Sequence, residues 1–281
     1  MRKEFFVNLR KIGVVVALST ALLVGCGSKD RSQPAASPKE QKEPTSKPTA
    51  APAPASAEEL VILAGSSFLP PTEQLIAEFG KATGLKITHT TGGSEDLLPH
   101  VKDKLKGDIF ITHDPFLENT KQAGSYADHV EVGFVAPVLA VQKGNPKGLK
   151  SVDDLATPGL KVALSNPQYS TCGEMVEALL KKKGIYEAVM KNVDTRLTKG
   201  HSNLGNFLQT QAVDAVIMWN GVAHTFKEHL DIVPTPYEYD KEIKVHVIGL
   251  SYSKQPEAVR RFMSFVRENG PRIFTANGYV K

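Results

Sequence analysis

The feature that constrains the fold most is a regular alternation, from residue 60 onward, of short apolar runs with segments of helical periodicity. The apolar runs have the length and composition of β-strands. Strands that alternate with helices predict an α/β fold, with parallel sheets that carry helices on both faces. The predicted strands are residues 60–65, 85–90, 107–112, 135–143, 160–165, 212–219 and 244–252. The predicted helices are residues 71–84, 95–105, 174–184, 203–211 and 256–270.

Residues 1–25 are typical of an export signal. They begin with a basic segment and continue with an apolar stretch, residues 12–24, which is shorter than the ~20 residues that a membrane-spanning helix needs. The sequence Leu-Val-Gly-Cys that ends at Cys26 resembles the bacterial lipoprotein box. This resemblance implies cleavage before Cys26 and acylation of its thiol. The protein would then be held at a membrane of the cell envelope, on the periplasmic or extracellular face.

Residues 26–57 are rich in Pro, Ala, Ser and Lys and have no apolar period. Such a segment cannot bury a core, and we expect it to be a disordered tether. The remaining body has 25 basic and 26 acidic residues, so it is about neutral. The basic isoelectric point of the whole chain therefore does not indicate a nucleic-acid partner. A body of this length can bury the core of one large domain or of two smaller lobes.

Small polar turns follow several of the predicted strands, at residues 66–67, 92–94 and 170–173. In α/β sheets the carboxyl ends of strands and the N-termini of helices meet at one edge. Hydroxyls and unpaired backbone N–H groups brought together there would form a neutral cage for an anion, without lysine or arginine. Helix N-capping explains any one of these turns equally well. Three such turns in one chain favour a binding site.

Five segments carry a resemblance to a known family: AGSSFLPPTEQLIAEFGKATGLKI, TGGSEDLLPHV, GDIFITHDP, QKGNPKGLKSVDDLATPGLKVALSNPQYSTCG and QAVDAVIMWNGVA. In this order, across nearly all of residues 59–281, the chain resembles the periplasmic molybdate-binding proteins, which are substrate-binding components of ABC importers. The resemblance implies the two-lobed periplasmic-binding-protein fold, in which two α/β lobes hold a ligand cleft between them. Lobe 1 would comprise residues 58–138 and 237–281, and lobe 2 would comprise residues 139–236.

The same resemblance implies transport rather than catalysis. We expect the protein to capture a small inorganic anion such as molybdate or tungstate and to deliver it to the permease of an ABC transporter. We expect a monomer without enzyme activity, without a cofactor and without a metal. A sensory or purely structural lipoprotein is the alternative.

The ligand positions of that family can be transferred one residue at a time. In the family, serine hydroxyls, main-chain amides and one tyrosine hydroxyl grip the oxyanion. The resemblance places these ligands on Ser67, with Ser66 as the neighbouring alternative, and on Ser94, Cys172, Leu204 and Trp219. The serines would supply hydroxyls, and Cys172 and Leu204 would supply their backbone N–H groups.

Two of these positions depart from the family pattern. Trp219 stands where a tyrosine is expected, and an indole N–H only donates a hydrogen bond. Cys172 stands where a small residue such as alanine is expected. Two roles remain open for Cys172: it donates its N–H while the thiol is a spectator, or its sulfur contacts a thiophilic oxyanion or a soft metal ion.

The histidines give two further hypotheses. His113, His201 and His224 could form a soft-cation site with Cys172, but no two of them lie at the short spacing of a metal site. Scattered surface histidines are the simpler interpretation. Cys172 and His201 could also be the nucleophile and base of an enzyme. The sequence has no local catalytic-cysteine signature and no third residue that would orient the histidine, so a binding protein is the better hypothesis.

Overall fold

The computed structural model describes residues 59–280. The predicted export signal, the predicted tether and Cys26, the predicted site of acylation, all lie outside these residues. Within the described residues, no helix is both long enough and apolar enough to cross a membrane.

Ten strands and eight α-helices make up the described part of the chain. The strands are β1 (Glu59–Gly65), β2 (Lys86–Gly92), β3 (Ile109–His113), β4 (Tyr126–Val135), β5 (Pro137–Gln142), β6 (Val162–Ser165), β7 (Leu197–Thr198), β8 (Ala215–Trp219), β9 (Leu230–Ile232) and β10 (Ile243–Leu250). The helices are α1 (Leu69–Thr83), α2 (Ser94–Lys102), α3 (Phe116–Gln122), α4 (Thr171–Lys182), α5 (Tyr186–Val193), α6 (His201–Gln209), α7 (Asn220–Thr225) and α8 (Pro256–Ala276). Short 3₁₀ turns span Ser66–Phe68 and Val152–Ala156.

The first sheet has five strands in the order β2-β1-β3-β10-β4. β1 pairs in parallel with β2 and with β3, whereas β10 runs antiparallel to β3 and β4. Because β1, β2 and β3 point the same way, their carboxyl ends lie at one edge of the sheet. The register aligns Gly65 with Gly92 at this edge. The turns that follow β1 and β2 are therefore neighbours in space.

The second sheet also has five strands, in the order β7-β6-β8-β5-β9. β6 pairs in parallel with β7 and β8, and β5 runs antiparallel to β8 and β9. The parallel strands β6, β7 and β8 end at Ser165, Thr198 and Trp219. These three ends face the same edge, from which α4, α6 and α7 begin.

The chain passes between the sheets twice, at Ala136 and within residues 233–242. Asn220 holds the first passage, since its N–H donates to the carbonyl of Ala136 at 2.9 Å. Its side-chain Oδ1 accepts the N–H of Ala136 at 3.2 Å. Its Nδ2 donates to the carbonyl of Val280 at 2.7 Å, so Asn220 also binds the C-terminal segment to this passage.

Most of the buried apolar side chains, from both sheets, form one continuous core, and a smaller second cluster lies around Leu63 and Phe110 of the first sheet. α1 and α8 pack together on the first sheet, where the rings of Phe79 and Phe262 meet edge to face at 5.2 Å. Such aromatic pairs add to the free energy gained from burial alone. The pair of α1 and α8 therefore forms a layer against the first sheet.

The structure confirms the α/β class, and each of the seven predicted strands corresponds to an observed one. The sheets are mixed rather than wholly parallel, which differs from the prediction. β5 and β10 are the antiparallel strands, and each enters its sheet directly from a passage between the sheets. A parallel neighbour requires a long crossover connection, usually a helix, and these two strands have none.

Candidate functional site

A small cavity lies where the strand ends of the two sheets face each other. Its volume is about 30 Å³, and it is lined by residues 65–68, 93–95, 169–171 and 199–201, with His113 and Trp219. Two larger cavities, of about 500 and 600 Å³, lie against α4. The small cavity is the candidate site because it contains four of the six predicted ligands, namely Ser66, Ser67, Ser94 and Trp219, and the larger ones contain none.

The first wall of the cavity comes from the turns after β1 and β2. Ser94 begins α2 and is 4% exposed, and its Oγ accepts a hydrogen bond from Oγ1 of Thr112 at 2.9 Å. With an acceptor site of Ser94 occupied in this way, the hydroxyl proton of Ser94 is free to point into the cavity. Thr112 is thus a supporting residue that the sequence analysis missed, because a threonine inside an apolar strand carries no signal of its own.

The opposite wall comes from the N-terminus of α4. Oγ of Ser170 caps this helix by accepting the N–H of Gly173 at 3.3 Å. The N–H and the hydroxyl of Thr171 both lie 3.4 Å from Oε1 of Glu95 on α2. This contact reaches across the cavity and joins elements of the two sheets. The third turn of the predicted cage therefore does face the first two.

Cys172 lies at the second position of α4 and is not part of the cavity lining. The residue is 0% exposed and belongs to the continuous apolar core. Burial raises the pKa of the Cys172 thiol well above its ordinary value. A buried thiol that resists deprotonation is poorly suited to bind a soft metal ion or to act as a nucleophile. Because Cys172 lies in the first turn of α4, its backbone N–H has no partner within the helix. This N–H remains its predicted contribution to the site.

Trp219 and two histidines form the aromatic part of the lining. The ring of His201 stacks on that of Trp219 at 5.6 Å, and the ring of His113 meets Trp219 edge to face at 5.8 Å. His113 and His201 are 5% and 6% exposed. The interpretation of these two as scattered surface histidines was therefore wrong, because tertiary packing buries both beside the cavity. His224 is half-buried and is not part of the lining.

Burial disfavours the charged form of both histidines. Nδ1 of His201 accepts the backbone N–H of Trp219 at 3.3 Å, and its Nε2 lies 3.4 Å from the hydroxyls of Ser165 and Ser170. Burial, with a smaller contribution from His113, lowers the pKa of His201 to about 3. Burial also lowers the pKa of His113. In their neutral form these rings add hydrogen-bonding groups to the site without adding charge.

Among the described residues that line the cavity, Lys199 is the one cation. Its Nζ lies 2.9 Å from Oδ1 of Asp96, so its charge is paired. Residues 199–201 supply the lining from the start of α6, whereas Leu204 is buried one turn further along the helix. No group of three or more described His, Cys, Asp or Glu side chains is placed to hold a metal ion. What the site offers is hydroxyls, helix N-termini and ring nitrogens.

A family model described as bacterial extracellular solute-binding protein matches residues 60–280. The chain belongs to this family. The resemblance to periplasmic molybdate-binding proteins is also confirmed for this solute-binding protein. The molybdate-binding protein ModA of Mycobacterium tuberculosis is 26% identical over 274 residues, which cover 96% of this chain and 97% of the relative.

Solved structures confirm the two-lobed fold of this solute-binding protein. The periplasmic molybdate-binding protein of Azotobacter vinelandii superposes with a TM-score of 0.64 at 19% identity, covering 79% of this chain and 99% of that one. The sulfate-binding protein SubI of Mycobacterium tuberculosis superposes with a TM-score of 0.63 at 17% identity, covering 79% and 86%. The two neighbours are named for different anions, so at these identities the likeness establishes the fold alone.

Proposed function

We propose that this protein is the extracytoplasmic solute-binding component of an ABC importer and that it captures a small oxyanion of the molybdate or tungstate type. The observation that carries the proposal is the convergence of hydroxyl-bearing helix starts from both sheets on one small cavity. Helix N-termini and hydroxyls bind oxyanions without a formal positive charge. The cavity is also far smaller than the ~300–1,000 Å³ of pockets for drug-sized organic ligands.

Two relationships support this choice of ligand. The ModA relative, named for molybdate, matches almost the whole chain. The residues that the family resemblance assigns to the ligand include Ser67, Ser94 and Trp219, which come from distant parts of the sequence and line the same cavity. We assign the ligand contacts to Ser67 or Ser66, Ser94, Trp219 and the amides of Cys172 and Leu204.

The proposal extends to the parts of the protein that surround the site. Lobe 1 comprises residues 58–138 and 237–281, and lobe 2 comprises residues 139–236. The protein is monomeric and delivers its anion to the permease. Acylation of Cys26 anchors it at a membrane of the cell envelope, and residues 26–57 form the tether.

Calorimetry with molybdate, tungstate and sulfate tests the proposed ligand class. We expect Ser67→Ala and Ser94→Ala each to weaken binding by about 1–3 kcal/mol, since each leaves an anion oxygen without a donor. Unfolding free energies should change by only about 1 kcal/mol. Ser264→Ala, at an exposed position of α8, is the matched control. If no oxyanion binds the parent protein, the proposed function is wrong; unchanged affinity in both serine variants removes them from the site.

A further inference from the structure

His113 presents an unused nitrogen at the cavity. Its Nδ1 lies 2.6 Å from the backbone carbonyl oxygen of Asp114. A carbonyl oxygen only accepts hydrogen bonds, so Nδ1 carries the proton of the neutral ring. The other nitrogen, Nε2, therefore holds a lone pair. It is the atom of this ring that can still gain a proton.

Three aromatic rings surround the His113 ring, and none of them forms a hydrogen bond with Nε2. The rings of Phe68, Phe116 and Trp219 lie edge-on around it, with centroid distances of 5.9, 5.2 and 5.8 Å. Nε2 has no hydrogen-bond partner among the described residues. His113 lines the cavity, so a bound molecule is the partner that this geometry provides for.

Titratable groups face His113 from several elements. Burial lowers its pKa most, while the hydrogen bond to Asp114 and the carboxylates of Glu95 on α2 and Asp114 oppose this effect. His246 on β10 adds to the lowering, and its Nε2 lies 3.0 Å from Oδ1 of Asp114. His201 on α6 is the remaining titratable ring nearby. The carboxylates of Glu95 and Asp114 stabilise a proton on His113 if another charge in the site offsets the cost of burying the imidazolium.

The negative charge of a bound oxyanion offsets the cost of a buried proton on His113. The anion in turn needs a positively charged or donating partner in the site. The oxygens of a fully ionised oxyanion carry only lone pairs, which are repelled by the lone pair on Nε2 of neutral His113. The paired Lys199 offers no free charge, and the carboxylate of Glu95 also lines the cavity. A charge removed from water is costly unless a partner of opposite charge is present.

Given the proposed oxyanion site, we propose that the anion binds together with one proton, which Nε2 of His113 takes up from solvent. The resulting imidazolium donates a hydrogen bond from Nε2 to the anion and keeps its Nδ1–H donation to Asp114. No other bond forms or breaks. The site is therefore specific for an oxyanion plus a proton, with His113 as the residue that holds the proton.

The linkage has a definite sign. A bound anion raises the pKa of His113 above its value in the empty site, so binding takes up protons. Affinity should rise by up to about tenfold for each unit that the pH falls between the pKa of the bound state and that of the free state. Sulfate and molybdate carry no exchangeable proton near neutral pH, so protons taken up with these anions belong to the protein.

Calorimetry of molybdate and sulfate in buffers of different ionisation enthalpy measures this uptake directly. We expect about 0.5–1 proton per bound anion near pH 6.5 for the parent protein. His113→Asn keeps a donor for the Asp114 carbonyl and removes Nε2, so its uptake should be near zero and its affinity should not vary with pH. His224→Gln, a half-buried histidine outside the lining, should retain the parent's uptake.

Nitrogen NMR of the parent protein provides a second readout that does not depend on the variant folding. In the anion complex both ring nitrogens of His113 should be protonated, whereas in the free protein only Nδ1 should be. Anion binding without proton uptake, or a neutral His113 ring in the complex, overturns the inference and leaves the proposed function intact. If none of the oxyanions binds at all, both the proposed function and this inference are overturned.

Discussion

At the scale of single residues, the packing around the cavity leaves no room for a side chain at Gly65. Its backbone angles, φ −54° and ψ 131°, are open to other residues, so no backbone strain is involved. A Cβ at this position would lie 2.8 Å from Oγ of Ser94 and 2.9 Å from the ring of Phe68. β1 therefore ends in glycine because the second turn of the site lies against it.

We expect Gly65→Ala to weaken oxyanion binding by about 1–3 kcal/mol, because the added methyl group displaces the Ser94 hydroxyl. Calorimetry with molybdate measures this loss. Gly80→Ala is the matched control, since a Cβ there meets only the carbonyl oxygen of Leu85 at an ordinary 3.7 Å. It lies inside α1, where alanine stabilises the helix by about 1 kcal/mol. Equal affinities of the two variants would argue against Ser94 as a ligand.

His201 makes the stability of the protein depend on pH. Its pKa in the folded state is about 3, and an unfolded chain takes up the same proton near pH 6.5. Between these values the unfolded state binds more protons, so the unfolding free energy decreases as the pH falls. The loss approaches about 1.4 kcal/mol for each pH unit in this window.

His201→Gln should reduce this dependence on pH, although the variant loses packing against Trp219 and is less stable at neutral pH. Urea denaturation at several pH values between about 7 and 5 measures the slope. His89→Gln, which changes an exposed histidine, is the matched control. A slope in the His201 variant as steep as in the parent would contradict this assignment.

The residues of the site could be predicted only where neighbouring residues in the sequence show their role. Ser66, Ser67 and Ser94 stand in polar turns that follow apolar runs, and this pattern is visible in the sequence. The role of Thr112 depends on the pairing of β1 between β2 and β3, which brings it to Ser94. Likewise, no local pattern distinguishes a buried histidine from an exposed one.

At the scale of elements, β4 shows why some strands escape prediction. It lies at the edge of the first sheet and pairs only with β10. Most of its side chains are only partly buried, and polar residues are interspersed along it. A strand of this kind lacks the continuous apolar run of a central strand. The helices α3, α5 and α7 were missed for a different reason, since seven, eight and six residues are too few to display a helical period.

The C-terminal segment after α8 supports the turn that carries Ser67. The hydroxyl of Tyr279 donates to the carbonyl oxygen of Ser67. Its ring lies so close to Gly221 of α7 that a Cβ there would be 2.2 Å from it. Tyr279 is 1% exposed. The segment therefore connects the turn after β1, which carries the predicted ligand Ser67, with α7, which follows β8 of the second sheet.

We expect Tyr279→Phe to lower the unfolding free energy by about 1 kcal/mol and to weaken molybdate binding, because the turn that carries Ser67 loses the hydrogen bond from the Tyr279 hydroxyl. Denaturation and calorimetry measure the two effects. Tyr252→Phe removes a similar hydrogen bond, to the carbonyl of Lys106 at 2.8 Å, at a position outside the cavity lining. It should leave binding unchanged. Intact binding in Tyr279→Phe would show that the turn does not need this support.

At the scale of the whole molecule, two contacts close the cavity from the side of α2. Glu95 reaches Thr171 at the start of α4, and Asp96 reaches Lys199 before α6. Both contacts join α2, which follows a strand of the first sheet, to segments that follow strands of the second sheet. These contacts bridge the cavity, as expected for hinge closure of two lobes around a ligand.

We expect Lys199→Ala to shift the free protein toward a more open form, because it removes the ion pair across the cavity. Small-angle X-ray scattering should show a larger radius of gyration without anion and a return to the parent's value with molybdate. Lys244→Ala breaks an ion pair of 2.8 Å with Glu131 inside the first sheet and should not change the envelope. An envelope that is the same with and without anion in every variant would contradict lobe closure.

The absence of a free cation in the described lining has a consequence for the kinetics of capture. A folded part that is about neutral, with a site whose one lysine is already paired, produces little long-range field to draw anions in. Association should then proceed at an unassisted diffusional rate that varies little with ionic strength. Selectivity must arise after encounter, from how well the oxygens of the anion match donors fixed in space. A binding protein of this design would lose little of its function in a salty medium.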